Sequence, residues 1–465
     1  MAFYERLTEL DNSFLVYEAQ GAPMHVAATE IFEAAPLRET DGTLDIERIQ
    51  RYVLSRLHLI PRYRQRLAYT PLRRHPVWVD DDRFNIRYHV RHSRLPRPGD
   101  ERLLKRTVGR IFSQQLDLAK PLWEMWVIEG LEGDRLAIVS KTHHCMIDGI
   151  AGTDLMSVLL TPEPREKVEH PPAWVPRPVP SQAELARDEA LRTVGTPLAA
   201  ARGAAGLLAG GERSRHDLME RLRATGRVLA GSLSGATPTP LNQPVGPYRR
   251  FDWTTFTLDE IRAIRRKLGG TVNDVVLATT AGAVRRFLRR SRQVDVDDID
   301  FRVMAPVSVR ADDERGTMGN KVAAWMVPLP IAERDPRRRL ELICQTTERL
   351  KRERQALGAE TLTDMLEWTG STLLSLGARM MTLGTPFNMV VTNVPGPRAP
   401  LHLLQSQMVE AHAMIPLMGN LATGIALFSY AGTLSFGVMG DWDLVPDLHD
   451  FVGAIEHSFR ALQNA

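Results

Sequence analysis

Apolar and polar positions along the first 160 residues switch between the two periodicities that mark helices and strands. In "LDIERIQRYVLSRLHLIPRYRQRL" (44–67), Ile46, Ile49, Val53, Leu57 and the Leu59–Ile60 pair recur near helical spacing with a basic opposite face, which predicts a surface helix. "PLWEMWVIEGLEGDRLAIVSKTHH" (121–144) reads as strand, glycine-containing turn, strand: a hairpin whose second arm ends in two adjacent histidines. "GIAGTDLMSVLL" (149–160) then returns to helical spacing through Ile150, Leu155, Val158 and Leu159.

The pattern breaks at "TPEPREKVEHPPAWVPRPVP" (161–180), where seven prolines in twenty residues predict an extended, solvent-exposed linker. From Ser181 to about Gly235 the chain is rich in Ala, Arg and Leu and reads as helical, with six arginines against three acids between 201 and 230. Such a run is read first as a solvated face and second as a membrane-surface patch. A second unit follows. Strand "RRFDWTTFTL" and helix "DEIRAIRRKLG" precede "TVNDVVLATTAGAVRRFLRR", in which Thr271 and Asn273–Asp274 have helix-capping character. Strands "FRVMAPVSVR", "KVAAWMVPLP" and "FNMVVTNVPGP", helix "PRRRLELICQTTERLKRERQAL", hairpin "TGIALFSYAGTLSFGVMGD" and helix "LHDFVGAIEHSFRAL" complete it. The expectation is an α/β (α+β) chain in three stretches. Residues 1–165 and 246–465 form two sheet-and-helix domains, 166–245 link them, and a cleft lies between the halves.

The chain has 465 residues, enough for two cores, and its 59 Lys+Arg against 56 Asp+Glu leave a net charge of +3 that gives no reason to propose nucleic acid as a partner. Hydrophobic residues at 43% and charged residues at 25% exclude a mainly disordered chain. Two distant cysteines, Cys145 and Cys344, make neither a disulfide framework nor a zinc finger, and an intracellular protein is the simplest expectation. "MAFYERLTELDNSF" lacks the apolar stretch of a secretory signal. The most apolar segment, from Trp368, contains Arg379 and Pro386 and reads as a buried or interfacial helix before a strand, not as a spanning helix.

Candidate chemistry concentrates in "KTHHCMIDGIAG" (141–152). Adjacent residues on a strand face opposite ways, so His143 and His144 cannot both ligate one ion, and no neighbouring Cys, His, Asp or Glu completes a shell; no metal is expected. Acid–base catalysis fits better. One imidazole can face the cleft while the other packs against the fold, and a neutral imidazole is a suitable base for an alcohol or thiol. Asp148 can hold the loop by accepting backbone N–H bonds or by pairing with an arginine, and Gly149 supplies a tight turn. Cys145 as nucleophile is disfavoured, because a side chain next to His144 on a strand points away from it.

"HHCMIDG" resembles the HHxxxDG motif of the bacterial wax ester synthase/acyl-CoA:diacylglycerol acyltransferase family, within the superfamily of chloramphenicol acetyltransferase, BAHD acyltransferases and peptide-synthetase condensation domains. "LTELDNSFLVYEAQGAPMHV", "PLWE", "TVNDVVLA", "MAPVSVR…MGNKV" and "VVTNVPGP" resemble further segments of that family, in order along nearly the whole chain. The stretch 161–240 carries little of the resemblance.

The resemblance implies two chloramphenicol acetyltransferase-like domains with a tunnel between them. It implies transfer of a long-chain acyl group from acyl-CoA to diacylglycerol, a long-chain alcohol or both, with no cofactor beyond acyl-CoA as substrate. His144 would be the general base, supported by His143 and Asp148. Asn273, with Asp274 beside it, is the candidate for oxyanion or substrate positioning, a plain helix cap being the alternative for Asn273. In BAHD relatives an arginine at the matching strand end pairs with the motif aspartate. Arg310 is the corresponding candidate here, and Gly319–Asn320 resemble the Gly-Asn that follows it. Apolar substrates imply a cytoplasmic protein held at the inner face of the plasma membrane or at lipid inclusions, with arginines between 202 and 227 and Arg337–Arg339 as candidate lipid contacts. Rival readings are a superfamily acyltransferase using a carrier-bound thioester and an inactive lipid-binding protein.

Overall fold

The computed structural model describes residues 3–18, 21–146, 155–192, 235–308, 322–355 and 386–465. In the first half, β1 (Glu5–Arg6) is followed by α1 (Glu9–Glu18), β2 (His25–Glu33), α2 (Ile46–Arg56), β3 (Gln65–Tyr69), β4 (Pro76–Asp80) and β5 (Val90–Arg94). Then come α3 (Glu101–Ser113), β6 (Trp123–Leu131), β7 (Arg135–His143) and β8 (Leu160–Thr161). The second half begins β9 (Arg249–Thr257), α4 (Leu258–Leu268), α5 (Val272–Ser291), β10 (Phe301–Ser308), β11 (Val322–Leu329) and α6 (Pro336–Gln355). It ends β12 (Met389–Val394), β13 (His402–Leu403), β14 (Ser406–Met414), β15 (Thr423–Tyr430), β16 (Thr433–Asp441) and α7 (Leu448–Asn464).

Local chemistry explains many of these boundaries. Asp45 accepts from the Arg48 N–H and caps α2, whose predicted stripe buries Ile49 and Val53. Thr257 with Glu260, and Thr271 with Asp274, form capping boxes that start α4 and α5. The β6–β7 hairpin turns through Gly133 and Asp134, and the β15–β16 hairpin through Ala431 and Gly432, each pair with positive φ.

Two mixed sheets result, with strand orders β5-β6-β7-β2-β14-β13-β8 and β11-β10-β12-β15-β16-β9, and a small third sheet β1-β4-β3. The division of the sequence at 165 and 246 does not coincide with the division into sheets. β13 and β14, from the second half, complete the first sheet, with β14 antiparallel to β2 from Met408↔Phe32 to Met414↔Ala27. β14 also packs over β16, where a Cβ on Gly437 would overlap the Ala413 carbonyl. A continuous apolar layer joins the halves: Leu104, Val108 and Phe112 of α3 pack with Phe251 and Trp253 of β9, Met414 and Met439.

The proline-rich stretch is extended and anchored at several points. It has no regular structure from 162 to 181 and most of its side chains are exposed, but it is strapped to the first half. The Arg177 guanidinium grips Asp80 with both Nε and Nη2 at 2.9 and 2.7 Å, and Trp174 stacks under Arg64. Farther along, Glu189 accepts from Thr70 Oγ1 and from the N–H groups of Leu72 and Arg73. Proline supplies the extended backbone, and these polar anchors fix its course. Among the described residues no helix is long and apolar enough to cross a membrane.

Candidate active site

β6 and β7 deliver the two histidines as the hairpin pattern requires, with Trp123 opposite Thr142 and His25 of β2 opposite His143. The chain then bends into a single 3-10 turn, His144–Met146, held by the His143 N–H on the Leu122 carbonyl and the His144 N–H on the Met24 carbonyl, each at 2.9 Å.

The two imidazoles occupy different surroundings. His143 is fully buried, with Nε2 3.1 Å from Glu18 Oε2. Its Nδ1 accepts the backbone N–H of Cys145 at 3.1 Å and lies 2.9 Å from the Cys145 thiol. Because Nδ1 accepts, the ring proton belongs on Nε2, where the Glu18 carboxylate receives it. His144 is 4% exposed, lies stacked on Phe14 with centroids 4.2 Å apart, and has a buried Nδ1 with no hydrogen-bond partner among the described residues. Burial first, and His143 second, push its pKa down to about 4, so the ring is neutral at cell pH. Burial beside Asp11 and Glu18 raises the Cys145 thiol well above its usual range, which keeps it protonated and a poor nucleophile.

Helix α1 organises this pair, and the sequence carries a signal for it. Asp11, Phe14 and Glu18 fall at i, i+3 and i+7, hence on one helical face. Asp11 closes the first turn with Thr8, Phe14 packs with Met24 and with Met418 from the second half, and Glu18 reaches His143. Two carboxylates on the stripe of a buried phenylalanine mark a face turned toward polar partners.

Below the histidines lies a second polar layer. His25 Nε2 donates to the Phe112 carbonyl at 2.6 Å, and the fully buried Lys141 ammonium donates to the carbonyls of Ile111 and Gln114 at 3.1 and 2.8 Å. These groups satisfy the C-terminal carbonyls of α3, where positive charge is favoured. The Glu124 carboxylate, 3.4 Å from Lys141, offsets the cost of burying that ammonium.

The remaining candidates separate. Thr271, not Asn273, is the cap of α5, so the plain-cap alternative for Asn273 does not hold. Asn273 sits half-buried in the first turn. Asp274 is buried and both its oxygens serve the fold: Oδ2 accepts from Thr271 N–H and Oγ1, and Oδ1 accepts from Thr347 Oγ1 at 2.8 Å. Asp148, Gly149, Arg310 and Asn320 lie outside the described residues, as do the arginines between 202 and 227 and the start of the apolar stretch from Trp368. Of the other lipid-contact candidates, Arg339 is withdrawn: it is 4% exposed and donates to the carbonyls of Glu333 and Arg334. Arg338 is bound to Glu341 and Arg337 to the terminal Ala465.

Comparison with solved structures gives the class. The starter condensation domain of rhizomide synthetase RzmA shares the fold, at TM-score 0.55 and 13% identity over 99% of this chain and 94% of that one. The wax ester synthase/diacylglycerol acyltransferase from Marinobacter aquaeolei VT8 superposes with TM-score 0.72 at 25% identity, covering 99% of both chains. The chain is thus an acyltransferase of the condensation-domain-like fold. Residues 7–276 match the wax ester synthase/diacylglycerol acyltransferase catalytic domain, and residues 318–463 match the WS/DGAT C-terminal domain. A Mycobacterium tuberculosis (strain H37Rv) protein named as a diacylglycerol O-acyltransferase is 33% identical over 472 residues, spanning 99% of this chain and 90% of the relative. A second, named tgs1, is 30% identical over 467 residues, spanning 98% and 95%. The chain belongs to the wax ester synthase/diacylglycerol acyltransferase family.

Proposed function

We propose that this acyltransferase moves a long-chain fatty acyl group from acyl-CoA to diacylglycerol, a long-chain alcohol or both, with His144 as general base. The observation that carries the reading is a neutral imidazole in the turn that follows β7, kept unprotonated by burial against Phe14. A base must be free of its proton before it can take one, and burial against Phe14 supports that state in the neutral range.

In the proposed reaction His144 takes the proton of the acceptor hydroxyl as its oxygen attacks the thioester carbonyl. The C–O bond forms and the carbonyl electrons move onto oxygen. Collapse of this oxyanion breaks the C–S bond, and the departing thiolate receives the proton from His144, giving ester and free CoA. Asn273 is proposed to donate to the oxyanion, and loss of one such donor typically costs on the order of 3 kcal/mol. Asp148 and Arg310 are proposed to pair and to fix the histidine loop against the second half. Such apolar substrates favour a cytoplasmic membrane surface or lipid inclusion as the site of action.

The test is CoA release by purified protein given palmitoyl-CoA with dioleoylglycerol or, separately, hexadecanol. Ester should form with one or both, and His144→Ala should lose roughly 10²-fold or more while staying folded. A folded His144→Ala protein with near-normal release overturns the assignment.

A further inference from the structure

We infer that Glu18 is a positioning residue for acyl transfer, acting on His144 through His143. The inference rests on His144 being the base.

Glu18 ends α1 and is 4% exposed. Its carboxylate faces the His143 Nε2 at 3.1 Å, the His25 Nδ1 at 3.8 Å and the Met24 N–H at 3.3 Å. A carboxylate at such depth is costly to bury unless its oxygens are hydrogen-bonded. An apolar side chain would fill the space without that cost, so the acid at this position calls for a role.

Its partner defines the role. The Cys145 N–H donates to His143 Nδ1, which requires a lone pair on that nitrogen and places the proton on Nε2. Glu18 Oε2 is the acceptor for that proton. With the carboxylate gone, the tautomer protonated at Nδ1 would become competitive, and it would set two donors, Nδ1–H and the Cys145 N–H, against each other. That contact lies within the first turn after β7, the turn whose backbone carries His144. Phe14, one helical turn before Glu18, covers the face of His144 itself. One helix face therefore fixes the tautomer of the first imidazole and the plane of the second.

Positioning predicts a particular ranking of variants. Glu18→Gln keeps an amide oxygen at the same reach and should retain kcat within about 10-fold. Glu18→Leu removes the acceptor and should lower kcat roughly 10²-fold while KM for palmitoyl-CoA stays within about 3-fold, the pattern of an interaction that matters for the reacting geometry and not for binding. Glu18→Asp keeps the charge but withdraws it by one methylene, and should be worse than Gln because reach, not charge, is what His143 needs. Nitrogen-15 spectra of labelled histidine should show His143 protonated at Nε2 in wild type and Glu18→Gln, and a mixture of tautomers in Glu18→Asp. If Glu18→Leu does not fold, the Gln–Asp ranking and the spectra still decide. Aspartate equal to or better than glutamine, or an unchanged His143 tautomer in Glu18→Asp, overturns the inference. So does a folded Glu18→Leu with normal kcat beside an inactive His144→Ala, which leaves the general-base reading standing. An active His144→Ala overturns both.

Discussion

The ring of His144 lies against the ring of Phe14, centroids 4.2 Å apart and planes 23° from parallel. Phe14 is fully buried, so this contact seals one face of the imidazole from water. Desolvation is the main reason that the pKa sits at about 4. The acid limb of kcat/KM should therefore lie below pH 5, with a flat profile from pH 6 to 8. Phe14→Leu thins the cover and should move that limb upward toward 6.5. A wild-type limb already near 6.5 would mean that His144 is hydrated in the free protein.

The same burial makes the fold sensitive to acid. His144 and His89 both have pKa values pushed down to about 4, His89 chiefly by burial between the rings of Phe84 and Trp123. Their unfolded value is near ~6.5, so between that pH and 4 the unfolded chain binds protons that the folded chain refuses. Stability is complete above about 6.5 and falls as pH drops through this window, by on the order of 3 kcal/mol for each histidine. Melting temperature at pH 7.5, 6 and 5 should decline in that order. A constant melting temperature across the series would contradict the burial argument.

Gly109 on α3 faces the first strand of the second half with no side chain between. A Cβ there would come within 3.1 Å of the Arg249 carbonyl oxygen and 3.4 Å of the Phe251 nitrogen. Backbone cannot move aside as a flexible side chain can. Gly109→Val should destabilise by about 1–3 kcal/mol, as overpacking usually does. Gly109→Ala should cost less. Thermal melts measure this directly, and a valine variant as stable as wild type would show that the halves separate freely at this contact.

The proposed pair of Asp148 with Arg310 has a thermodynamic signature. Asp148→Ala and Arg310→Ala should each lower melting temperature and activity, by up to about 3–5 kcal/mol for a pair removed from water. The double variant should lose much less than the sum, because the second change removes a group already left unpaired. Fully additive losses exclude the pairing.

Arginines offered to a lipid surface should make vesicle binding salt-dependent. Flotation with anionic vesicles at low salt is expected to exceed that with neutral vesicles or at high salt. Equal recovery in all conditions removes the electrostatic contribution. Arg339→Gln should not change flotation, since its guanidinium is already spent on backbone carbonyls.

Elements are legible in the sequence where the physics is local. The 121–144 and 423–441 hairpins, the stripe of α2 and the Thr271 start of α5 all depend on residues within a few positions of one another. The patterning singles out neither β2 nor β14, although both are nine residues long, because their pairing joins positions about 380 apart. A strand's partner is not written in its own periodicity. Phe14 and Glu18 stand at helical spacing in the sequence, but nothing short of the folded chain shows that their face meets His143 and His144. Arg339 is lost as a lipid contact for a related reason: three consecutive residues of a helix span more than half of its circumference, so Arg339 turns inward while Arg337 and Arg338 stay exposed.

The insertion of β14 into the first sheet also bears on the order in which a ribosome makes this protein. β2 emerges among the first few dozen residues, while the strand that closes its free side follows more than 370 residues later. Until then a nascent chain holding α1, β2 and both histidines presents an open row of backbone donors and acceptors, a surface prone to mispairing. The first half therefore has no finished state of its own. Its sheet is completed by residues 402–414, and a chain stopped near residue 400 would leave the histidine-bearing hairpin on an unfinished sheet.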